Sequence, residues 1–337
     1  MKRPTIADIA RQAGVSKGAV SYALNGQPGV SSATRQRILD VAREVGFTPS
    51  TAARALSDAR ARAVGIILSR PAPMLGIEPW FMGLMAGFEA ELSTRSYALT
   101  VQVVASFAEE LNVYRRWWSE RRVDGVIVTD LREGDDRLCL LRDLHLPAVV
   151  LGGPPGESGI PHLWSNDEAA MAEAVRYLAA LGHRRIARVG GLPELLHTQA
   201  RTRAFDEVCA SLGLAEAVTV PCDYTAEEGG RVTRRLLIHP GRPTAIVYDN
   251  DVMAVAGLAV AQEMGLAVPH DLSIIAWDDS LLCRMVHPPL TALTRDITAY
   301  GAHAARTLLD AIDDKPVPSA AASTAHLTPR GSTEPPR

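Results

Sequence analysis

The chain has 337 residues, 47% of them hydrophobic, and carries 35 Lys and Arg against 38 Asp and Glu. That length exceeds one ordinary domain and suits a small domain followed by two larger lobes. The net charge of −3 hides an asymmetry: before Ala63 there are ten Lys or Arg and four Asp or Glu, and after Arg62 there are 25 and 34. Only the head is therefore expected to meet phosphate. No window approaches a membrane-spanning apolar run, so no membrane partner is expected.

The first stretch, Thr5 to Asn25, reads TIADIARQAGVSKGAVSYALN. Ile6, Ile9 and Ala10 fall on one face of a first helix. Ala13-Gly14-Val15 is a break where glycine permits a sharp corner. Ser16 caps a second helix, because its hydroxyl can accept from the exposed N–H groups of the first turn. Ala19, Val20, Ala23 and Leu24 form its buried side and leave Lys17, Gly18, Ser21, Tyr22 and Asn25 outside. This pattern predicts a helix-turn-helix whose second helix enters the major groove, against the alternative of a hairpin that only packs. Ser31 or Ser32 caps a third helix with Ile38, Leu39, Val41, Ala42 and Val45 inward. Thr48 to Leu56 (TPSTAARAL) predicts one further short helix, marginal alone, and Ser57 to Ala63 a polar connector.

From Val64 the pattern becomes strict alternation of apolar strands and amphipathic helices, the signature of parallel sheets covered on both faces. It runs from VGIILS to PAVVLGG. It pauses at the Pro- and Gly-rich GGPPGESGIPHLW, then begins again at DEAAMAEAVRYLAALGH and continues to DLSIIAWDD. A last helix, ITAYGAHAARTLLDAI, is placed to return toward the first lobe. Two tandem β/α lobes predict a cleft lined by residues just after strands. Ser69 ends the first strand, and Asp251 and Asp279 read as helix or loop caps. The segment SRPAPMLGIEPWF is a lid or an insertion.

The order of parts from Thr5 to Leu56 closely resembles the amino-terminal domain of the LacI family of transcription regulators. From about Val64 to Thr333 the chain resembles that family's effector domain, and thus periplasmic sugar-binding proteins. The signposts are LGHRRIARVGG, the R-x-x-x-F of Arg201 to Phe205, NDVMA at Asn250, WDDS at Trp277, HPPLTAL at His287 and RGST at Arg330. The resemblance implies a small all-α head, then an α/β two-lobe, periplasmic-binding-protein-like domain with parallel sheets. The expected limits are 1–47 for the head, 48–62 for hinge helix and linker, 63–333 for the effector and dimerisation domain, and 334–337 for a tail.

The resemblance also implies roles. The hinge helix would form when two subunits pair on an operator, with Leu56 wedged between central base pairs and Ala53 facing the minor-groove floor. On the head, Thr5, Ser16, Ser21, Asn25, Ser31 and Thr34 are assigned to phosphates, and Lys17 and Tyr22 to bases. Gly18 allows close approach. Many relatives carry Arg where Tyr22 stands, so base preference there is open, and Lys17 is open between guanine and phosphate. In the cleft, Trp80, Phe81 and Tyr224 would stack on ligand. Arg201 would fork onto ligand hydroxyls or carboxylates, and Asn250 and Asp278 would supply polar contacts. Either Asn166 or Asp167 points inward, since their order is the reverse of the family's usual one. Such a cleft suits a sugar, and by composition a purine or nucleoside almost as well.

An enzyme reading lacks a constellation: there is no GxGxxG after a strand, no P-loop, no GxSxG and no metal-spaced His pair. No cofactor or metal is expected. Cys139, Cys209, Cys222 and Cys283 show no paired spacing and read as thiols in a reducing compartment. The start, MKRPTIADIARQ, has no signal-peptide core. The expectation is a cytoplasmic homodimeric regulator, a repressor of carbohydrate genes, that binds double-stranded operator DNA and a small-molecule effector. The rival is a sugar or nucleoside binder that does not bind DNA, which leaves the basic head unexplained.

Overall fold

A hydroxyl cap opens each helix of the head. The computed structural model describes residues 4–47, 60–70, 78–154, 156, 158–214 and 216–337. It begins with α1 (Ile6–Ala13), α2 (Lys17–Leu24) and α3 (Ser32–Glu44). Thr5 completes a capping box: its hydroxyl accepts from the Asp8 N–H at 3.3 Å, and the Asp8 carboxylate accepts from the Thr5 N–H at 3.0 Å. Ser16 caps α2 by accepting from the Ala19 N–H at 3.1 Å, and Ser31 caps α3 by accepting from the Thr34 N–H at 3.3 Å. Gly14 ends α1 at a φ of 67°, the left-handed corner expected of a glycine. Eight-residue helices are marginal alone. These are held by one shared core of Ile9, Ala10, Ala13, Val20, Ala23, Ile38, Val41 and Ala42.

The chain divides into two units, Met1–Arg62 and Ala63–Arg337. The second contains two sheets of the same winding. In the first, β1 (Ala63–Leu68), β2 (Ala98–Val103), β3 (Gly125–Val128), β4 (Ala148–Leu151) and β5 (His162–Trp164) lie parallel in the order β2-β1-β3-β4-β5. β11 (Ala320–Ala321) extends the β5 edge. In the second, β6 (Ile186–Gly190), β7 (Val218–Pro221), β8 (Ala245–Tyr248), β9 (Ser273–Trp277) and β10 (Thr291–Thr294) repeat that order as β7-β6-β8-β9-β10. β12 (His326–Thr328) is antiparallel on β10.

Alternate residues of each strand feed opposite faces. Ile66 and Leu68 join one core with Phe81 and Phe88, while Ile67 joins another with Tyr114 and Trp117. Burial on both faces is why these strands read as unbroken apolar runs.

Helices connect the strands in sequence. The first lobe carries α4 (Pro79–Leu92), α5 (Phe107–Ser119) and α6 (Asp136–Asp143). The second carries α7 (Asp167–Ala180), α8 (Leu196–Ser211), α9 (Ala226–Leu237), α10 (Asp251–Glu263) and the short α11 (Leu281–Met285). The last, α12 (Ile297–Ile312), returns to the first lobe, where Tyr300, Ala304 and Leu308 share a core with Ile66 and Phe88. It crosses α4 closely enough that a Cβ on Gly87 would lie 2.1 Å from the Thr298 carbonyl oxygen.

The chain thus passes between lobes after β5, after β10 and between β11 and β12. Glu334, beyond the expected limit at residue 333, is still held by the second lobe: its N–H donates to Ser273 Oγ at 3.1 Å. The expected hinge helix with Ala53 and Leu56 lies outside the described residues, as does most of the loop 70–79. Among the described residues, no helix is long and apolar enough to cross a membrane.

Candidate functional site

Two surfaces carry the candidate residues. On the head, Lys17, Gly18, Ser21, Tyr22 and Asn25 are linked by the three- and four-residue steps that share one face of a helix. Val20 and Ala23 occupy the buried face. Lys17, Gly18 and Asn25 are exposed, Ser21 is partly so, and Tyr22 shows 48% of its surface. The hydroxyls of Thr5, Ser16 and Ser31 serve as helix caps, and Thr34 Oγ1 accepts from Ser31 Oγ at 2.9 Å. Arg35 belongs to the scaffold: its guanidinium donates to the carbonyls of Ala23 (3.2 Å) and Gln27 (2.5 Å), closing the end of α2.

In the body, a cleft of about 380 Å³ lies between the two lobes, beyond the carboxyl ends of their strands. The residues that follow β1, β3, β4, β5, β8 and β9 supply much of its polar wall: Arg70, Thr129 and Asp130, Gly152 and Gly153, Ser165 to Asp167, Asp249 and Asn250, and Asp278. The lobes meet at its mouth. The Leu196 N–H donates to the Leu131 carbonyl at 2.8 Å, and Arg132 and Leu195 form an antiparallel bridge. Across the cleft, the Arg70 guanidinium lies 4.9 Å from the centre of the Tyr224 ring.

Arginine and aspartate alternate around this wall. Arg70 pairs with Asp130 at 3.0 Å. Arg201 donates to the same Asp167 oxygen through Nε (2.9 Å) and Nη2 (2.8 Å), with its guanidinium 3.5 Å above the Trp277 ring. Arg295 Nη1 donates to Ser165 Oγ at 3.1 Å, and its Nε lies 3.8 Å from Asp278. Burial works against the Arg201 charge, but Asp167 and Asp249 outweigh it and hold its pKa above the ordinary value. Burial raises Asp167, and Arg201 and Arg295 more than reverse that, so its pKa is lowered. His197 is driven down to about 4 by burial and then by Arg201, so it is neutral at pH 7. Burial drives Glu78 up to about 7 against the pull of Arg70.

Of the nine expected effector residues, Trp80, Phe81, Asn166, Asp167, Arg201, Tyr224, Asn250 and Asp278 line this cleft. Ser69 does not; its neighbour Arg70 takes the place after β1. Asn166 and Asn250 also cap helices, accepting from the Ala169 N–H (2.9 Å) and the Met253 N–H (2.8 Å). Both residues of the Asn166-Asp167 pair reach the cleft, and Asp167 is the one that meets Arg201. Tyr224 sits at a φ of 70° with its hydroxyl 2.8 Å from His197 Nε2 and 2.9 Å from Thr198 Oγ1. Arg70, Glu78, Asp130, His197, Asp249 and Arg295 also line the cleft, and no motif in the sequence marks them. Four of these directly follow a strand or its first loop residue, a position that could have marked them.

Two family models match this architecture: bacterial regulatory proteins of the lacI family over residues 5–59, and the periplasmic binding protein-like domain over residues 175–333. The HTH-type transcriptional regulator AglR of Rhizobium meliloti (strain 1021) is 32% identical, over 97% of this chain and 93% of its own. The chain belongs to the LacI family. This LacI-family transcription regulator is also similar to a solved LacI-family regulator from Bifidobacterium animalis subsp. lactis. The two are 38% identical with a TM-score of 0.75, over 82% of this chain and all of that one. A transcriptional regulator CelR-cellobiose complex is 27% identical with a TM-score of 0.74, over 98% of this chain and 100% of that one.

Proposed function

We propose that this regulator is a cytoplasmic repressor that binds a palindromic operator as a homodimer and leaves it when a neutral sugar fills the cleft. Each head would take one half-site, with Lys17 and Tyr22 toward the bases and the hydroxyl and amide side chains toward phosphates. Large apolar side chains of the body stand exposed at Met82, Leu281 and Met285, at 57%, 62% and 72%, where a second subunit would cover them.

The observation that carries the sugar reading is the arrangement of Arg70–Asp130, Arg201–Asp167 and Arg295–Asp278 around one cavity. Each pair offers donors and an acceptor side by side, as vicinal hydroxyls require. An anionic ligand would face the three aspartates, and a cationic one the three arginines. Trp80 and Trp164 add partly open ring faces for the apolar side of a sugar. A complex of the similar CelR with cellobiose supports the same class. Sugar binding would favour closed lobes and disfavour the DNA-bound dimer, two sites coupled through one bistable element. Release of a labelled operator duplex by neutral sugars, and not by a sugar phosphate or a purine, tests this reading.

A further inference from the structure

Beside the cleft lies a fully buried ion pair that ligand contact alone does not explain. Arg188, on β6, is 0% exposed, and Asp249, just after β8, is 2% exposed. Arg188 Nε and Nη2 donate to the two Asp249 oxygens at 2.8 and 2.6 Å. Its Nη1 donates to Thr202 Oγ1 at 2.8 Å, and its Nη2 also reaches the Thr198 carbonyl at 3.3 Å. Arg188 thereby clamps the end of β8 to the first turns of α8. The strand does not need an arginine to fold: Ile186 on the same side and the register partner Val247 are apolar core residues. Burying an ion pair is rarely better for stability than packing apolar groups.

Two of the partners of Arg188, Asp249 and Thr198, lead to the cleft. The Asp249 carbonyl accepts from Arg201 Nη1 at 3.2 Å, and Asp249 Oδ2 lies 3.8 Å from that same nitrogen. Thr198 Oγ1 bonds the Tyr224 hydroxyl. Arg201 therefore stands between two carboxylates, the partly open Asp167 and the fully buried Asp249. We propose that Arg188 is a positioning residue for the effector site: by occupying both oxygens of Asp249, it leaves Arg201 committed to Asp167 and facing the cleft. Without Arg188, Asp249 keeps the Gly191 N–H at 3.1 Å, and Arg201 is the nearest cation to answer its charge. The proposal rests on the cleft being an effector site, but its first test needs no effector.

That test is a crystal structure of the full chain carrying Arg188→Met, with no sugar added. Arg201 is expected to leave Asp167 and bond the Asp249 carboxylate. Arg188→Lys, which keeps a charge but covers one oxygen, is expected to show the same shift in smaller measure if the methionine variant does not fold. Calorimetric titration with cellobiose and with maltose gives the second readout. Arg188→Met weakens whichever sugar binds the parent protein by about tenfold or more. Adding Asp249→Asn removes the competing charge and restores affinity to within about threefold, whatever the thermal midpoint does.

Arg201 still on Asp167 in both variants overturns the proposal. So does an affinity loss that the double variant leaves in place, which is what a purely structural role would give. A parent protein that binds neither sugar counts against the carbohydrate reading, and the crystal result then still decides the role of Arg188.

Discussion

The guanidinium carbon of Arg201 lies 3.5 Å from the centre of the Trp277 ring, while two of its nitrogens hold Asp167. Planarity serves both contacts at once, and lysine has none. Arg201→Lys keeps the charge and is nevertheless expected to weaken sugar binding about tenfold or more, a loss of at least ~1.4 kcal/mol. Calorimetric titration checks this. Unchanged affinity would show that the fork does not meet the ligand.

Glu78 makes the body's stability depend on pH. Burial raises its carboxyl to about 7 from an ordinary 4.5, against the pull of Arg70. Between those values the folded chain holds more protons than the unfolded one, so this contribution is present at low pH and is lost as pH rises toward 7. Asp251, raised by burial to about 6, acts with the same sign. Glu78→Gln, which mimics the protonated form, should be more stable than the parent at pH 8 by about 1–3 kcal/mol. The difference should close by pH 4.5. Thermal unfolding followed across that range decides it, and a constant offset at every pH would contradict the assignment.

The α4–α12 crossing tolerates no side chain at its centre. A Cβ on Gly87 would meet backbone atoms of Thr298, Gly301 and Ala302, and one on Gly301 would lie 2.4 Å from the Leu84 carbonyl oxygen. Backbone cannot step aside as a side-chain tip can. Gly87→Ala is expected to cost about 1–3 kcal/mol, read from the denaturant midpoint. An unmoved midpoint would mean the two helices can separate freely.

On the head, Lys17 and Tyr22 stand exposed on one face of α2. Replacing both with Ala should change which duplexes are selected from a random pool. Equal weakening on all sequences, with a shallower salt dependence, would reassign both residues to phosphates.

Much of this molecule is written locally. The caps at Thr5, Ser16 and Ser31, the corner at Gly14 and the two-faced apolar strands all follow from neighbours within one turn or one strand, and periodicity reports them. The cleft is written less locally. Arg201 and Asp278 are marked by a family motif, and Asp130 and Arg295 by their places just after β3 and β10, whereas no local pattern marks His197, in the first turn of α8. Asp249 shows the limit most clearly. It adjoins Asn250 in the sequence, yet its buried carboxylate pairs with Arg188, 61 residues away, while the Asn250 side chain caps α10. No spacing rule links Arg188 to Asp249, because the pairing of β6 with β8 makes them neighbours.

In the proposed regulator, a DNA-binding head answers to a sugar-filled cleft. This coupling is tested most directly by fluorescence polarisation of a labelled palindromic duplex from the protein's own promoter region, at fixed salt, titrated with neutral sugars, a sugar phosphate and a purine. Tight binding to that duplex over random DNA, and release by a neutral sugar alone, are expected. Equal affinity for random DNA, or a specific complex that no neutral sugar releases, would contradict it.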